Sequence, residues 1–255
     1  MFEFGIDQAA GLRLDIQARE GSPALMPLAS PAQPSRGFEW LCRLAMDLTD
    51  AGQRVVVIDA CATERGDRGG LSHALGDGGV VHLGATVSPG EWTVMPGAKG
   101  LQSLVATASA GGVDTALSRL FSPFSPGAMV LLYAPAQALA GLLAGVSARV
   151  LVPVLDQPQA SIDAYGGLKW LHGVGLCPVL APLNAPDQVL TNVLDTAERH
   201  LGLQVPVWPQ AAGAQERGHH ALPGAHFKDI QDHLALAHGI QEDRHGRQVE
   251  RRGSH

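Results

Sequence analysis

The sequence has few charged residues, few aromatic residues and only three cysteines. Charged residues make up 16% and aromatic residues 5% of the 255 positions, and the formal net charge is −6. A negative net charge argues against a protein that binds nucleic acid through bulk positive charge. Cys42, Cys61 and Cys177 lie in apolar surroundings without C-x-x-C spacing. We therefore expect buried free thiols, which are typical of a reducing cytoplasm.

The sequence also lacks a clear membrane segment. One uncharged stretch, residues 129–147, is nearly long enough to span a bilayer, but it contains Pro135, Gln137 and many small residues. We interpret it as a buried strand followed by a helix. The first residues hold no basic segment followed by an apolar core, so no secretory signal is expected. Together these observations predict a cytoplasmic protein.

What the sequence does contain is an alternation of apolar strands and helical patterns. Apolar residues make up 45% of the chain, enough for a large core at this length. Continuous apolar runs, such as residues 55–58 and 129–133, are typical of strands covered on both faces of a parallel sheet. Helical spacing separates these runs, and residues 205–208 are the last predicted strand. The pattern predicts a doubly wound, mainly parallel α/β sheet.

Three regions follow from this pattern: residues 1–20 before the first strand, an α/β domain over 21–210, and a tail over 211–255. The tail holds seven of the eleven histidines, but no ligand spacing closes a coordination shell, so no metal site is predicted. We expect a flexible, mostly disordered tail with one short helix at residues 227–240. The polar face of that helix is not basic, so membrane contact is expected to be peripheral at most.

The stretch from residue 24 to residue 59 carries the clearest functional signal. It reads as strand, loop, helix and strand, the unit on which phosphate-binding folds place their nucleotide loop. Such a loop needs glycines that turn backbone N–H groups toward phosphate, a lysine, and a hydroxyl for Mg²⁺. The loop here has no lysine, and two prolines remove backbone donors. Its residues are Ser30, Pro31, Ala32, Gln33, Pro34, Ser35, Arg36, Gly37 and Phe38.

Several segments, in a consistent order, resemble the FlhG branch of the MinD/ParA-type P-loop ATPases, regulators of flagellar number and position. Residues 7–13, Asp-Gln-Ala-Ala-Gly-Leu-Arg, match that family's DQAxxLR segment. Residues 92–97 resemble a family strand that ends in a Pro-Gly turn, and residues 158–169 resemble the start of a family helix. Residues 189–204 resemble the segment before the family's last strand. The resemblance implies a MinD/ParA-like P-loop fold, with ATP and Mg²⁺ as the family's cofactors.

The resemblance also places key family positions on residues of the wrong chemistry. The phosphate-binding lysine falls on Gly37, the Mg²⁺-binding hydroxyl on Phe38 and the signature lysine on Ala32. The water-orienting aspartate falls on Cys61, and the aspartate that ends the switch strand falls on Tyr133. Phosphoryl transfer depends on the electrostatic stabilisation that such groups supply. We therefore predict a pseudo-ATPase with no catalytic residues, no bound cofactor and no metal.

The family's N-terminal segment docks on FlhF, a signal-recognition-particle-type GTPase, and stimulates its GTP hydrolysis. The resemblance therefore implies a partner-binding role for Asp7, Gln8, Ala9, Leu12 and Arg13. We predict a non-catalytic FlhG-like regulator of flagellar assembly, acting at the cell pole or the inner membrane face. Flagellar basal-body proteins and transcriptional regulators are further candidate partners.

Two alternatives remain open from the sequence. One is an active MinD-type ATPase with an unconventional phosphate loop that uses Arg36. The other is an antiactivator that binds a flagellar transcription factor. Nucleotide binding distinguishes the first alternative from the leading prediction, and the identity of the partner distinguishes the second.

Overall fold

The computed structural model describes residues 23–65, 69–76, 91–157 and 159–208. In this part of the chain, six strands form one parallel sheet with the order β3-β2-β4-β1-β5-β6. The strands are β1 (Ala24–Ser30), β2 (Arg54–Asp59), β3 (Thr93–Pro96), β4 (Ala128–Pro135), β5 (Arg149–Leu155) and β6 (Cys177–Leu183). The described helices are α1 (Pro34–Asp50), α2 (Leu71–Gly76), α3 (Ala98–Gly111), α4 (Val113–Phe121), α5 (Ala136–Leu143), α6 (Ala160–His172) and α7 (Asp187–Leu201).

The parallel sheet follows from strands that are apolar on both faces. In β4, every residue from 128 to 134 is buried, and β4 pairs with β1 on one side and with β2 on the other. Helices cover both faces of such a central strand, so polar and apolar residues do not alternate along it. The predicted doubly wound, mainly parallel α/β fold is confirmed.

The helices cover the two faces of the sheet unequally. Side chains of α2 to α7 share one core with alternate residues of β4, namely Val130, Leu132 and Ala134. Successive side chains of a strand point to opposite faces, so Tyr133 points to the other face. There its hydroxyl reaches α1, which also packs against β2. The face that carries α1 is therefore the one that holds the candidate site.

Two boundaries differ from the prediction. Helix α1 begins at Pro34, inside the segment expected to be loop, because proline suits the first turn of a helix, where an N–H has no intrahelical partner. The predicted strand at residues 205–208 is wrong: the structure has only one bridge there, between Leu180 and Val207. The N–H of Leu180 donates to the carbonyl of Pro206 at 2.9 Å. Pro206 has no N–H of its own to continue a ladder.

Several predictions fall outside the described residues. These are the N-terminal segment 1–20 with its proposed partner-binding residues, and the tail 211–255 with its expected helix. The uncharged stretch 129–147 does form a strand and a helix, β4 and α5, as predicted. Among the described helices, none has the length and apolar character needed to cross a membrane.

Candidate functional site

The carboxyl ends of β1, β2 and β4 meet at one edge of the sheet, where parallel α/β folds place their ligands. Strand β1 ends at Ser30, and only residues 31–33 separate it from α1. We call residues 31–33 the β1–α1 loop. In the sheet, Asp59 pairs with Tyr133 and Ser30 pairs with Pro135. The fold therefore brings this loop, Asp59 and Tyr133 into one place.

Tyr133 fills the space beneath the start of α1. Its side chain is fully buried, and its hydroxyl donates a hydrogen bond of 2.7 Å to the carbonyl oxygen of Pro34. Its ring meets the ring of Phe38 edge-on, with a centroid distance of 6.3 Å and an interplanar angle of 60°. Burial, and to a smaller extent Cys61 and Asp59, raises the pKa of Tyr133. The phenol therefore stays protonated and keeps its role as a hydrogen-bond donor.

Gly37 allows α1 to lie this close to Tyr133. A Cβ at Gly37 would overlap the Tyr133 hydroxyl and would stand 2.9 Å from Cδ of Pro31. Both Gly37 and Pro31 are buried. At this position the resemblance places the family's phosphate-binding lysine, and the structure leaves no room there for any side chain.

We call the β1–α1 loop together with the first turn of α1 the β1–α1 junction. Its outer surface carries small and polar residues. Ala32, Gln33, Ser35 and Arg36 are exposed, and no side chain caps the amino end of α1. The backbone N–H of Arg36 donates to the Gln33 carbonyl at 3.2 Å. That amide is therefore engaged within the chain rather than directed at an external phosphate.

Asp59 turns the chain at the end of β2. Its Oδ1 accepts hydrogen bonds from the N–H of Cys61 at 3.0 Å and from that of Ala62 at 3.2 Å. This is the turn that an aspartate side chain commonly stabilises. Burial raises the pKa of Cys61, a hydrogen bond from Ser30 lowers it in part, and Asp59 raises it further. The thiol is thus neutral at neutral pH and does not supply the negative charge of an aspartate.

The prediction of buried thiols is wrong. All three cysteines are free, but Cys42 and Cys61 are only half-buried and Cys177 is exposed. Cys177 opens β6, the last strand at one edge of the described sheet, where the first residue of the strand faces solvent. Burial, followed by Asp59 and Glu39, raises the pKa of Cys42, which keeps this thiol protonated as well.

Glu64, in the segment after β2, is a buried carboxylate that no pattern in the sequence indicated. Glu64 is 5% exposed. Its Oε2 accepts from the N–H of Ser72 at 3.0 Å and from the Ser72 hydroxyl, and its Oε1 accepts from the N–H of Gly100 at 2.8 Å. Ser72 lies in the first turn of α2 and Gly100 in the first turn of α3. One carboxylate therefore joins the starts of two helices.

A signal for Glu64 was present only indirectly. Gly70 makes room for this side chain, since a Cβ at Gly70 would lie 2.8 Å from Cγ of Glu64. A single glutamate in a polar loop has no periodicity that marks it as buried. Within the described ranges, no group of three or more His, Cys, Asp or Glu side chains is arranged to hold a metal ion.

The α/β fold with its six-stranded parallel sheet is similar to the fold of solved plasmid partition proteins. No known protein family matches the sequence, and no curated protein matches it either. A crystal structure of a plasmid partition protein from Borrelia burgdorferi is similar, with 12% identity over 84% of this chain and 99% of that chain and a TM-score of 0.53. A partition protein from the same organism bound to AMPPNP has 12% identity, the same coverage of 84% and 99%, and a TM-score of 0.51.

Proposed function

We propose that this protein is a ParA/MinD-type pseudo-ATPase that works through protein contacts, as a non-catalytic FlhG-like regulator of flagellar assembly. The observation that carries the proposal is the closed β1–α1 junction. Tyr133 bonds to the Pro34 carbonyl there, and Gly37 packs against Tyr133 and Pro31. The first carbon of a lysine side chain at position 37 would overlap the Tyr133 hydroxyl, which supports the loss of the phosphate-binding lysine.

The backbone of the junction also favours loss of nucleotide binding. A phosphate cradle needs several N–H groups directed at the same point. Here Pro31 and Pro34 have no N–H, and the N–H of Arg36 is bonded to Gln33. A Borrelia burgdorferi partition protein of similar fold is bound to AMPPNP. The fold is therefore compatible with a nucleotide, and the difference that we invoke lies in the loop.

The charges around the junction favour loss of catalysis as well. Of the two carboxylates that the resemblance requires at the end of β2 and just beyond it, only Asp59 remains, and its Oδ1 is engaged by two backbone amides. Cys61 is a neutral thiol because burial raises its pKa. Arginine and lysine side chains and Mg²⁺ normally neutralise the charge that develops in phosphoryl transfer. Arg36 is exposed in the first turn of α1, and one arginine does not replace this set.

The test is calorimetric titration of ATP and of ADP, each with Mg²⁺, into the full-length protein. We expect no binding heat at millimolar nucleotide, whereas a ParA-type ATPase in the same buffer serves as the positive control. A micromolar Kd would overturn the pseudo-ATPase. In that case a loss of binding in Arg36→Ala, but not in the exposed control Arg43→Ala, would identify Arg36 as a phosphate ligand.

The proposed partner is an FlhF-type GTPase, and the support is the match of residues 7–13 to the DQAxxLR segment. We expect the full-length protein to stimulate GTP hydrolysis by that GTPase. Gln8→Ala and Leu12→Ala are expected to reduce the stimulation at least about tenfold, since a short segment that folds on binding depends on few anchors. Gln17→Ala, outside the segment, is the control. Stimulation by the Gln8 and Leu12 variants at the wild-type level would contradict this assignment.

A further inference from the structure

Tyr133 links two parts of the site that lie far apart in the sequence. The hydrogen bond from its hydroxyl to the Pro34 carbonyl joins residues 99 positions apart. The edge-on contact with Phe38 and the close approach of Gly37 act between the same two segments. Three contacts of different kinds thus hold one side chain of β4 to the start of α1.

The two segments differ in how firmly the rest of the chain holds them. Tyr133 pairs with Leu28 of β1 and with Asp59 of β2, so its backbone is fixed from both sides in the centre of the sheet. The start of α1 has no side-chain cap, and Ser35 and Arg36 in its first turn are exposed. Tyr133 therefore belongs to the more rigid of the two segments, and its contacts stabilise the start of α1.

We propose that Tyr133 is a latch that holds the β1–α1 loop closed, through its hydrogen bond to Pro34 and its ring contact with Phe38. This inference rests on the proposed function in that the closed loop is what excludes nucleotide. It adds that the closure depends on one side chain and is not a property of the two prolines alone. When the latch is broken, the first turn of α1 opens locally while the sheet and the other helices stay folded.

The latch predicts a local change that a general loss of stability does not produce. In Tyr133→Phe the ring and its contact with Phe38 remain, but the donor to Pro34 is lost. We expect the amides of residues 35–38 to exchange with deuterated solvent about tenfold faster, the factor that one lost hydrogen bond implies. Amides of β4 and α6 are expected to exchange at the wild-type rate.

Tyr165→Phe is the matched control, because Tyr165 is the second of the two tyrosines and lies on α6, away from this junction. It should leave exchange at residues 35–38 unchanged. Phe38→Leu breaks the ring contact and keeps the hydroxyl, and we expect faster exchange in the same four residues. If Tyr133→Phe does not fold, Phe38→Leu decides the question by the same readout.

The same variants separate the latch from the proposed function when ATP and Mg²⁺ are titrated into them. Faster local exchange without nucleotide binding supports both proposals. Faster exchange together with a micromolar Kd for ATP supports the latch but overturns the pseudo-ATPase, since the site would then be competent and merely closed. Unchanged exchange in a folded Tyr133→Phe overturns the latch and leaves the proposed function standing.

Discussion

Two segments at the same edge of the sheet stabilise the starts of the helices that follow them by different means. After β1 the chain uses apolar contacts and proline: Pro34 opens α1, and no side chain caps that helix. After β2 the chain uses a charge: the Glu64 carboxylate accepts hydrogen bonds from Ser72 in α2 and from Gly100 in α3. The segment after β1 offers few hydrogen-bond donors to an anion. In the segment after β2, the Glu64 carboxylate already occupies such donors.

A fold whose helix starts suit anions can still leave little room for an anion. Free N–H groups at a helix start bind phosphate readily, because they point outward and the helix dipole favours negative charge. Glu64 occupies the donors of Ser72 and Gly100, and proline removes a donor from the start of α1. Both arrangements lower the affinity for an external anion, because Glu64 occupies backbone donors and proline lacks one.

The largest effect is expected from Glu64→Ala, which removes the carboxylate that joins the starts of α2 and α3. The variant leaves the buried N–H of Gly100 and the N–H of Ser72 without their acceptor. We expect the free energy of unfolding to fall by about 3 kcal/mol, measured by urea denaturation followed by circular dichroism. Glu39→Ala, at an exposed position on α1, is the control and should change stability by less than about 0.5 kcal/mol. An equal effect of the two substitutions would show that Glu64 does not organise these helix starts.

A smaller effect is expected from Gly37→Ala, which tests the close packing of α1 against Tyr133 and Pro31. The added Cβ would collide with the Tyr133 hydroxyl and with Pro31, so we expect a loss of about 2 kcal/mol although alanine is the better helix former. Gly166→Ala is the matched control in α6, where a Cβ meets nothing within 4 Å. There we expect a gain of about 0.5–1 kcal/mol in the same assay. A gain in stability in both variants would mean that the junction is not closely packed.

The smallest effect is expected at alkaline pH and concerns the phenol of Tyr133 alone. Its pKa is raised in the folded protein, so the unfolded chain loses this proton first. The stability that the neutral phenol contributes is fully present below the unfolded pKa of about 10 and declines as the pH rises above it. Between pH 9 and pH 11 we expect wild type to lose on the order of 1 kcal/mol more than Tyr133→Phe does. Equal losses in urea denaturation at the two pH values would show that Tyr133 ionises freely in the folded state.

Much of the fold followed from local patterns in the sequence. The alternation of apolar runs with helical spacing predicted a parallel α/β sheet, and the apolar runs at residues 55–58 and 129–133 lie within β2 and β4. These elements have strong patterns that do not depend on distant partners. A strand was predicted at residues 205–208, where the structure has only a bridge at Val207. An apolar run with a proline in it has the same composition whether or not a ladder of hydrogen bonds forms.

The candidate site was only partly accessible to the same reasoning. The wrong chemistry of the loop was visible in its prolines and in its lack of lysine, because a phosphate loop has a fixed local spacing. The contacts of Tyr133 with Pro34 and of Glu64 with Gly100 join residues 99 and 36 positions apart. No local period marks such pairs. Only the folded sheet shows that Tyr133 supports the loop and that Glu64 is buried.

The position of β4 between β1 and β2 also decides when the junction can close. β1 and β2 each pair with β4 rather than with each other, and β4 is the later of the three along the chain. Contacts between distant segments form slowly, since the intervening chain must first be ordered. During synthesis, β2 can pair first with β3, whereas both neighbours of β1, β4 and β5, come later in the chain. Unpaired strand edges promote aggregation. The junction cannot close before β4 has been synthesised, because the hydroxyl that bonds to Pro34 belongs to Tyr133 of that strand.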